Sequence, residues 1–313
     1  MSNRFDVIGI GVSTVDFLNV VEKFSDSEDV QRTRKMKIDC GGPVSTAIVS
    51  LARLGVRTAM IDNIGDDLAG QYIMSEYIRE KVDTTSINIT RDSTSSVATI
   101  LVRESDGARI IYYSPSSAGE LKHINPDVLS ETRFIHTNGR HPEAAIYAAK
   151  YAREVGVKVS FDGGANRYRP ELIPLIQLTD ICIVTKQFAE AFSSESNIDS
   201  AAEALLLAGP EVVVITAGTA GSWLYTKEKD SYHQRAFTPD KVIDTTGCGD
   251  CYHGAFLFGL VQNWDLYKTI QFASAAAALN ARGLGGRSAL PTVKEVIDFI
   301  NYSEQPNLSF PAI

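Results

Sequence analysis

The heptapeptide Asp244-Thr-Thr-Gly-Cys-Gly-Asp250 is the stretch of this 313-residue chain whose residue types are best suited to chemistry. It lies between an apolar, β-like run at 236–243 and a helix-like run at 252–260. Small residues entering a helix leave backbone N–H groups free, with the positive end of the helix dipole behind them. Such a loop suits phosphate oxygens. Asp250 is the odd member, because a fixed negative charge opposes anion binding. Its use there would be to take a proton from a group attacking the phosphate. Loop and base together read as phosphoryl transfer to an alcohol. The competing reading is an ordinary turn with Asp250 as an N-cap.

Other segments supply partners for that loop. Cys40-Gly41-Gly42-Pro43 leads into a helix at 45–54, and its two glycines let the backbone approach a small ligand closely. Asp16 follows a strand-like segment, where a carboxylate can accept two sugar hydroxyls. Val213-Val-Ile-Thr216-Ala-Gly218-Thr-Ala-Gly221 is a strand emptying into a glycine-containing turn, the edge at which α/β sheets bind ligands. A small-residue helix, 275–280, ends at Asn280 and is followed by a glycine-rich loop, 283–288. Gly9-Ile-Gly-Val-Ser-Thr14 lacks the third glycine of a dinucleotide fingerprint and runs into a β-rich segment, which argues against a Rossmann site. The five histidines show no metal spacing, and His253 reads as a packed helix residue. Cys248 and Cys251 have no second pair to complete a metal site, so the four cysteines read as free thiols. Cys248, beside a helix N-terminus, is expected to have a lowered pKa.

The elements that must position these residues alternate. Strand-like segments at 5–11, 58–62, 133–138, 157–162, 180–185 and 211–216 are separated by helical ones at 45–54, 68–81, 142–155, 187–192 and 200–207. Continuous apolar strands between helices predict a mostly parallel central sheet covered on both faces, an α/β fold. Two regions break the rhythm. Residues 95–103 and 108–113 read as a hairpin, and 12–21 and 32–39 as extended chain. Together, roughly 12–39 and 95–114 predict a small separate β-sheet serving as a lid over a substrate cleft. No linker or repeat divides the chain, so 1–313 is expected to be a single domain.

Composition excludes several classes. A net charge of −8 disfavours nucleic acid as a partner, since phosphate backbones reward clustered Lys and Arg. No run of 18 apolar residues appears, and no signal-peptide-like run opens the chain, so no membrane partner and a cytoplasmic location are expected.

Two segments carry a family resemblance. Gly41-Gly42-Pro-Val-Ser-Thr-Ala-Ile-Val-Ser-Leu-Ala-Arg-Leu-Gly55 and Asp244-Thr-Thr-Gly-Cys-Gly-Asp250 resemble the two signatures of the ribokinase, or PfkB, family of carbohydrate kinases. Tyr113-Ser-Pro-Ser116, Asp250-Cys-Tyr-His-Gly254 and Gly285-Gly-Arg-Ser-Ala-Leu-Pro291 are most similar to sulfofructose-kinase-like members. The resemblance implies a ribokinase-like fold and an ATP-dependent sugar kinase using Mg²⁺, with K⁺ as a further cofactor. It implies Asp250 as base for a primary hydroxyl and the backbone of Gly247, Cys248 and Gly249 as anion hole. It places Asp16, Gly41, Gly42, Thr46, Tyr113 and Arg140 at the sugar, and Thr216, Gly218, Gly221 and Asn280 at the nucleotide. Asp244, Thr246 and Ser288 fall at the family's monovalent-cation site, and the lid segments imply a homodimer. The chain departs from the pattern in places. Many relatives carry Asn where Thr46 stands, and the Mg²⁺-organising Asn-x-x-Glu motif is degenerate in Thr185-Lys-Gln-Phe-Ala-Glu190, leaving Glu190. Tyr113 replaces an Asn of the sulfofructose-kinase-like members, while Arg140 matches their arginine for an anionic group. The acceptor implied is a ketose, 2-keto-3-deoxygluconate or another sugar acid. The alternatives are an adenosine-like nucleoside acceptor, or a catalytically quiet sugar- or nucleotide-binding regulator on the same fold.

Overall fold

A computed structural model of the chain describes residues 3–303. The strands are β1 (Val7–Ile10), β2 (Thr14–Val21), β3 (Lys35–Gly41), β4 (Thr58–Gly65), β5 (Asp83–Thr90), β6 (Ser96–Arg103), β7 (Arg109–Ser114), β8 (Phe134–Thr137), β9 (Lys158–Gly163), β10 (Ile181–Thr185), β11 (Val212–Thr216), β12 (Ser222–Thr226) and β13 (Ser231–Gln234). The helices are α1 (Pro43–Arg53), α2 (Leu68–Arg79), α3 (Pro126–Ser130), α4 (Pro142–Val155), α5 (Ile173–Ile176), α6 (Lys186–Ser193), α7 (Ile198–Ala208), α8 (Cys248–Val261), α9 (Leu266–Asn280) and α10 (Val293–Asn301).

Nine strands form the main sheet, in the order β13-β12-β11-β10-β9-β8-β1-β4-β5. From β11 to β5 the pairing is parallel, and only the β11-β12-β13 edge is antiparallel. The expected α/β class follows from the strand composition. On β10, Ile181 and Ile183 enter one core and Cys182 and Val184 the other, so both faces need cover. Helices α1, α2, α8, α9 and α10 bury one face, and α3 to α7 the other. The small sheet runs β3-β2-β6-β7 around a minor core of Leu18, Ala98, Ile100, Val102 and Leu284. Leu284 brings the late glycine-rich loop against this sheet.

The run at 236–243 corrects one expectation, because it is not a strand. Pro239 offers no N–H for a ladder. The run's end is tied instead to a helix terminus: the amides of Ile243 and Asp244 both donate to Ala281 O, at 2.8 and 3.2 Å. Two edge strands, β5 and β13, escaped the periodicity reading because edge positions leave their faces half exposed and their sequences polar.

Candidate active site

Between the two sheets lies an open cleft of about 930 Å³. Asp16, Gly41, Gly42, Thr46, Tyr113 and Arg140 line its small-sheet end; Thr246, Gly247, Cys248, Gly249 and Asp250 line its middle; Thr216, Gly218 and Gly221 line its far end. Fourteen positions singled out from sequence, from six separate regions of the chain, thus face one space. On α9, Ser274, Ala277 and Ala278 face the far end, where small side chains leave room for a flat group.

The middle is the N-terminus of α8. Gly247 is its N-cap in the left-handed region, φ 73°, and a Cβ there would lie 2.5 Å from the Cα of Gly286. Only glycine allows both that conformation and that approach. No side chain caps the helix. Among the described residues, the amides of Gly247, Gly249 and Asp250 have no acceptor, whereas Cys248 N donates a long 3.3 Å bond to Thr245 O. The amides left without an acceptor therefore run one residue further into the helix than the three read from sequence, and skip Cys248. The Cys248 thiol also departs from expectation. Burial, then the charges of Asp244 and Asp250, push its pKa up to about 12 instead of lowering it.

Asp250 sits in the first turn of α8, half-buried, and among the described residues its carboxylate accepts no hydrogen bond. Burial, followed by the negative charge of Asp162, raises its proton affinity above that of an ordinary aspartate. That is the direction a general base working near neutral pH requires.

At the small-sheet end, Asp16 is 6% exposed and accepts a 2.7 Å bond from Thr14 Oγ1. Burial pushes its carboxyl up to about 6. Arg140 reaches across from the β8–α4 turn, donates to Tyr113 Oη at 2.8 Å and stacks over that ring at 5.1 Å. Tyr113 Oη is in turn 3.0 Å from Ser96 Oγ. Thr46 is occupied: Arg287 Nε donates to its Oγ1 at 3.2 Å, and the same guanidinium donates to Gly41 O at 3.0 Å and to Ser45 Oγ. Arg287, 3% exposed, is thus the clamp that ties the late glycine-rich loop to the Gly41-Gly42 turn.

A scan of family models finds that of the pfkB family carbohydrate kinases matching residues 4–293. The chain belongs to the PfkB family. As a PfkB kinase it is a phosphotransferase acting on a sugar hydroxyl, with the ribokinase-like α/β fold. Over 318 residues it is 29% identical to 5-dehydro-2-deoxygluconokinase of Shouchella clausii, with 94% of each chain covered. The Clostridium perfringens protein of the same name is 24% identical over 326 residues, covering 96% of this chain and 94% of its own. In fold it is similar to Arabidopsis thaliana ribokinase complexed with ribose and ATP, with TM-score 0.84, 19% identity, and 97% and 100% of the two chains covered.

Four positions called from sequence do not line the PfkB cleft. Asp244 is fully buried, and its carboxylate accepts from Thr246 N at 2.9 Å, Thr246 Oγ1 at 2.7 Å and Gly285 N at 2.9 Å. Ser288 Oγ bonds Leu284 O and the ammonium of Lys37, which also holds Asp39 at 2.6 Å. Asp244 and Ser288 thus tie the Thr246 and Gly285 backbone and the Leu284 turn together. Asn280 is buried and turned away from the cleft, donating to Gly286 O at 3.0 Å. Glu190 pairs with Lys186 at 3.6 Å outside the cleft lining.

Among the cleft residues that the sequence did not single out are Asp162 and Arg167, which face His253. His253 is packed on its helix, as read, yet its Nε2 lies 3.3 Å from Asp162 Oδ1. No local spacing announces the pair, because the fold brings it together from residues 91 positions apart.

Proposed function

We propose that this PfkB kinase transfers the γ-phosphate of ATP to a primary hydroxyl of a keto sugar acid. The observation that carries the reading is the shared cleft. It holds a carboxylate without hydrogen bonds at a helix N-terminus with free amides, and an arginine at the acceptor end. The relatives' name, 5-dehydro-2-deoxygluconokinase, denotes a keto-deoxygluconate acceptor and agrees with a cationic group there.

Each residue then has a part. Asp16 accepts hydrogen bonds from sugar hydroxyls, and the backbone of Gly41 and Gly42 closes on the sugar. Arg140, steadied by Tyr113, meets the carboxylate. Thr46 acts indirectly, by holding Arg287 against the Gly41 turn. Asp250 takes the hydroxyl proton as the new O–P bond forms and the bond to the ADP oxygen breaks. Amides of Gly247, Gly249 and Asp250 stabilise the charge on the transferring group, and Cys248 contributes through its backbone. Thr216, Gly218 and Gly221 bed the nucleotide. Asn280 contributes by holding Gly286.

Mg²⁺ neutralises phosphate charge in such a reaction. Among the described residues no group of three His, Cys, Asp or Glu could hold a metal. The ion fits here as Mg²⁺ usually does, carried mainly by substrate phosphates with one or two carboxylates, and Glu190 would take part through water. We take the chain as one kinase domain, with the β3-β2-β6-β7 sheet as a lid that excludes water. Exposed Met36, Ile111 and Tyr112 on the lid's edge strands suit a homodimer, which mass measurement in solution tests. No helix among the described residues is long and apolar enough to cross a membrane, in keeping with cytoplasmic work.

The test is ADP release from Mg-ATP against keto sugar acids, ketoses, aldoses and nucleosides, for wild type and Arg140→Met. The reading predicts that a sugar acid is the best acceptor and that Arg140→Met raises its KM by about 10–100-fold, the worth of a charged hydrogen bond. Neutral acceptors should change little. A nucleoside as best acceptor, or equal losses for neutral and anionic sugars, would overturn it.

A further inference from the structure

Side-chain alternation on two neighbouring strands collects polar groups beneath the catalytic helix. On β9, Val159 and Phe161 enter the core covered by α4 and α5, so Ser160 and Asp162 face the other side, toward α8. On β8, Ile135 takes the first side and His136 the second. The strands pair His136 with Ser160, and Nδ1 of the ring is 3.1 Å from Ser160 Oγ. His253 comes down from α8 to meet them. It stands three residues after Asp250, on the same helix face. Its Nε2 faces Asp162 at 3.3 Å, and its ring centre is 5.3 Å from that of His136. The second oxygen of Asp162 is 3.6 Å from the Arg167 guanidinium.

Asp162, His136 and His253 are all buried. Within the cluster His136 Nε2, His253 Nδ1 and Asp162 Oδ2 have no hydrogen-bond partner. A partly satisfied polar cluster in a core costs stability, and an apolar set would pack there without that cost. Its retention next to the reacting carboxylate calls for a use.

We propose that Asp162 and His253 are positioning residues for Asp250: the fixed charge of Asp162 shapes the field in which Asp250 takes its proton, and His253 holds that charge in place beneath α8. The proposal rests on the reading of Asp250 as the base. A neighbouring negative charge makes a carboxylate a stronger proton acceptor. Although burial opposes its charge, Asp162 is held ionised by the facing His253 and Arg167, its carboxyl below the usual range. Burial, then the charge of His253, pushes His136 down to about 3, so it stays neutral and adds no counter-charge at working pH. Cys182, on the opposite face of the sheet, is pushed upward by burial and stays a thiol. Facing Asp250 itself, Arg167, His253 and Arg287 act against the effect of Asp162, and the carboxylate of Asp16 and the Cys248 thiol complete its surroundings. Neither Asp162 nor His253 exchanges a proton in the reaction. The proton leaves the acceptor hydroxyl for Asp250 and then returns to solvent.

The test is the pH dependence of the single-turnover phosphoryl-transfer rate at saturating acceptor, so that binding groups such as Asp16 do not contribute. Asp162→Asn should shift the acid limb to lower pH by about 1 unit, because removing a neighbouring charge makes Asp250 more acidic. Adding His253→Gln should then move the limb no lower, because the direct effect of His253 on Asp250 has the opposite sign. Asp162→Ser, smaller and also neutral, should give the same shift if Asp162→Asn does not fold. A folded neutral variant with an unmoved acid limb overturns the proposal. Asp250→Asn separates the two claims. If it retains turnover, the base reading fails and this inference with it; if it is inactive while the limb stays put, only this inference fails.

Discussion

Asp16 and Gly41 are built against one another: a Cβ on Gly41 would lie 2.1 Å from Asp16 Oδ2. Neighbouring strands β2 and β3 bring them together, and the absence of a side chain at residue 41 lets the carboxylate stand where it does. Gly41→Ala should therefore push Asp16 out of place without touching the nucleotide end. We expect kcat/KM for the sugar to fall by about 10²-fold, the cost of a small misplacement, with the ATP dissociation constant unchanged. Equal loss of ATP affinity would show that the substitution disturbs the whole cleft.

Asp16→Asn should trade binding for stability. The folded protein holds the Asp16 proton up to about pH 6, whereas an unfolded aspartate releases it near its ordinary value of 3.8. The native state thus binds more protons between these values, and stability falls as pH rises through that window. Above about pH 6 the full cost is present, and replacing the buried charge should recover up to about 3 kcal/mol. Thermal melts of wild type and Asp16→Asn at about pH 5 and about pH 8 measure this. The variant's advantage should be larger at the higher pH, while its sugar KM rises by about 10–100-fold through loss of a charged hydrogen-bond acceptor.

Cys248 should be chemically quiet. With its pKa near 12, the thiolate fraction at neutral pH is roughly 10⁻⁵. Alkylating reagents should label it slowly, and Cys248→Ala should keep turnover, as the proposed backbone role of the position requires. Rapid labelling at neutral pH, monitored by intact mass, would contradict the raised pKa.

Much of this site was legible in the sequence because its chemistry is dense and local. Gly247, Gly249 and Asp250 lie within one loop–helix junction, and the Gly41-Gly42 turn announces itself by composition. The sheet was legible because continuous apolar strands such as β11 leave no face for water. What could not be read depends on register and packing. Asp162 meets His253 only because β9 turns alternate residues toward α8. Arg287 reads as one charge in a loop until the fold lays it on Thr46 and Gly41 O. Asn280 shows the converse: its place beside a glycine-rich loop suggests a ligand contact, yet helix packing turns it inward. The Cys248 thiol is pushed up and not down because burial and two carboxylates oppose the helix dipole.

The most direct test of the account is ADP release from Mg-ATP with a keto sugar acid as acceptor, wild type against Asp250→Asn, with ATP binding measured in parallel. If Asp250 is the base, the variant should bind ATP like wild type and lose about 10²–10⁴-fold in turnover. Undiminished turnover in a folded Asp250→Asn protein would contradict it.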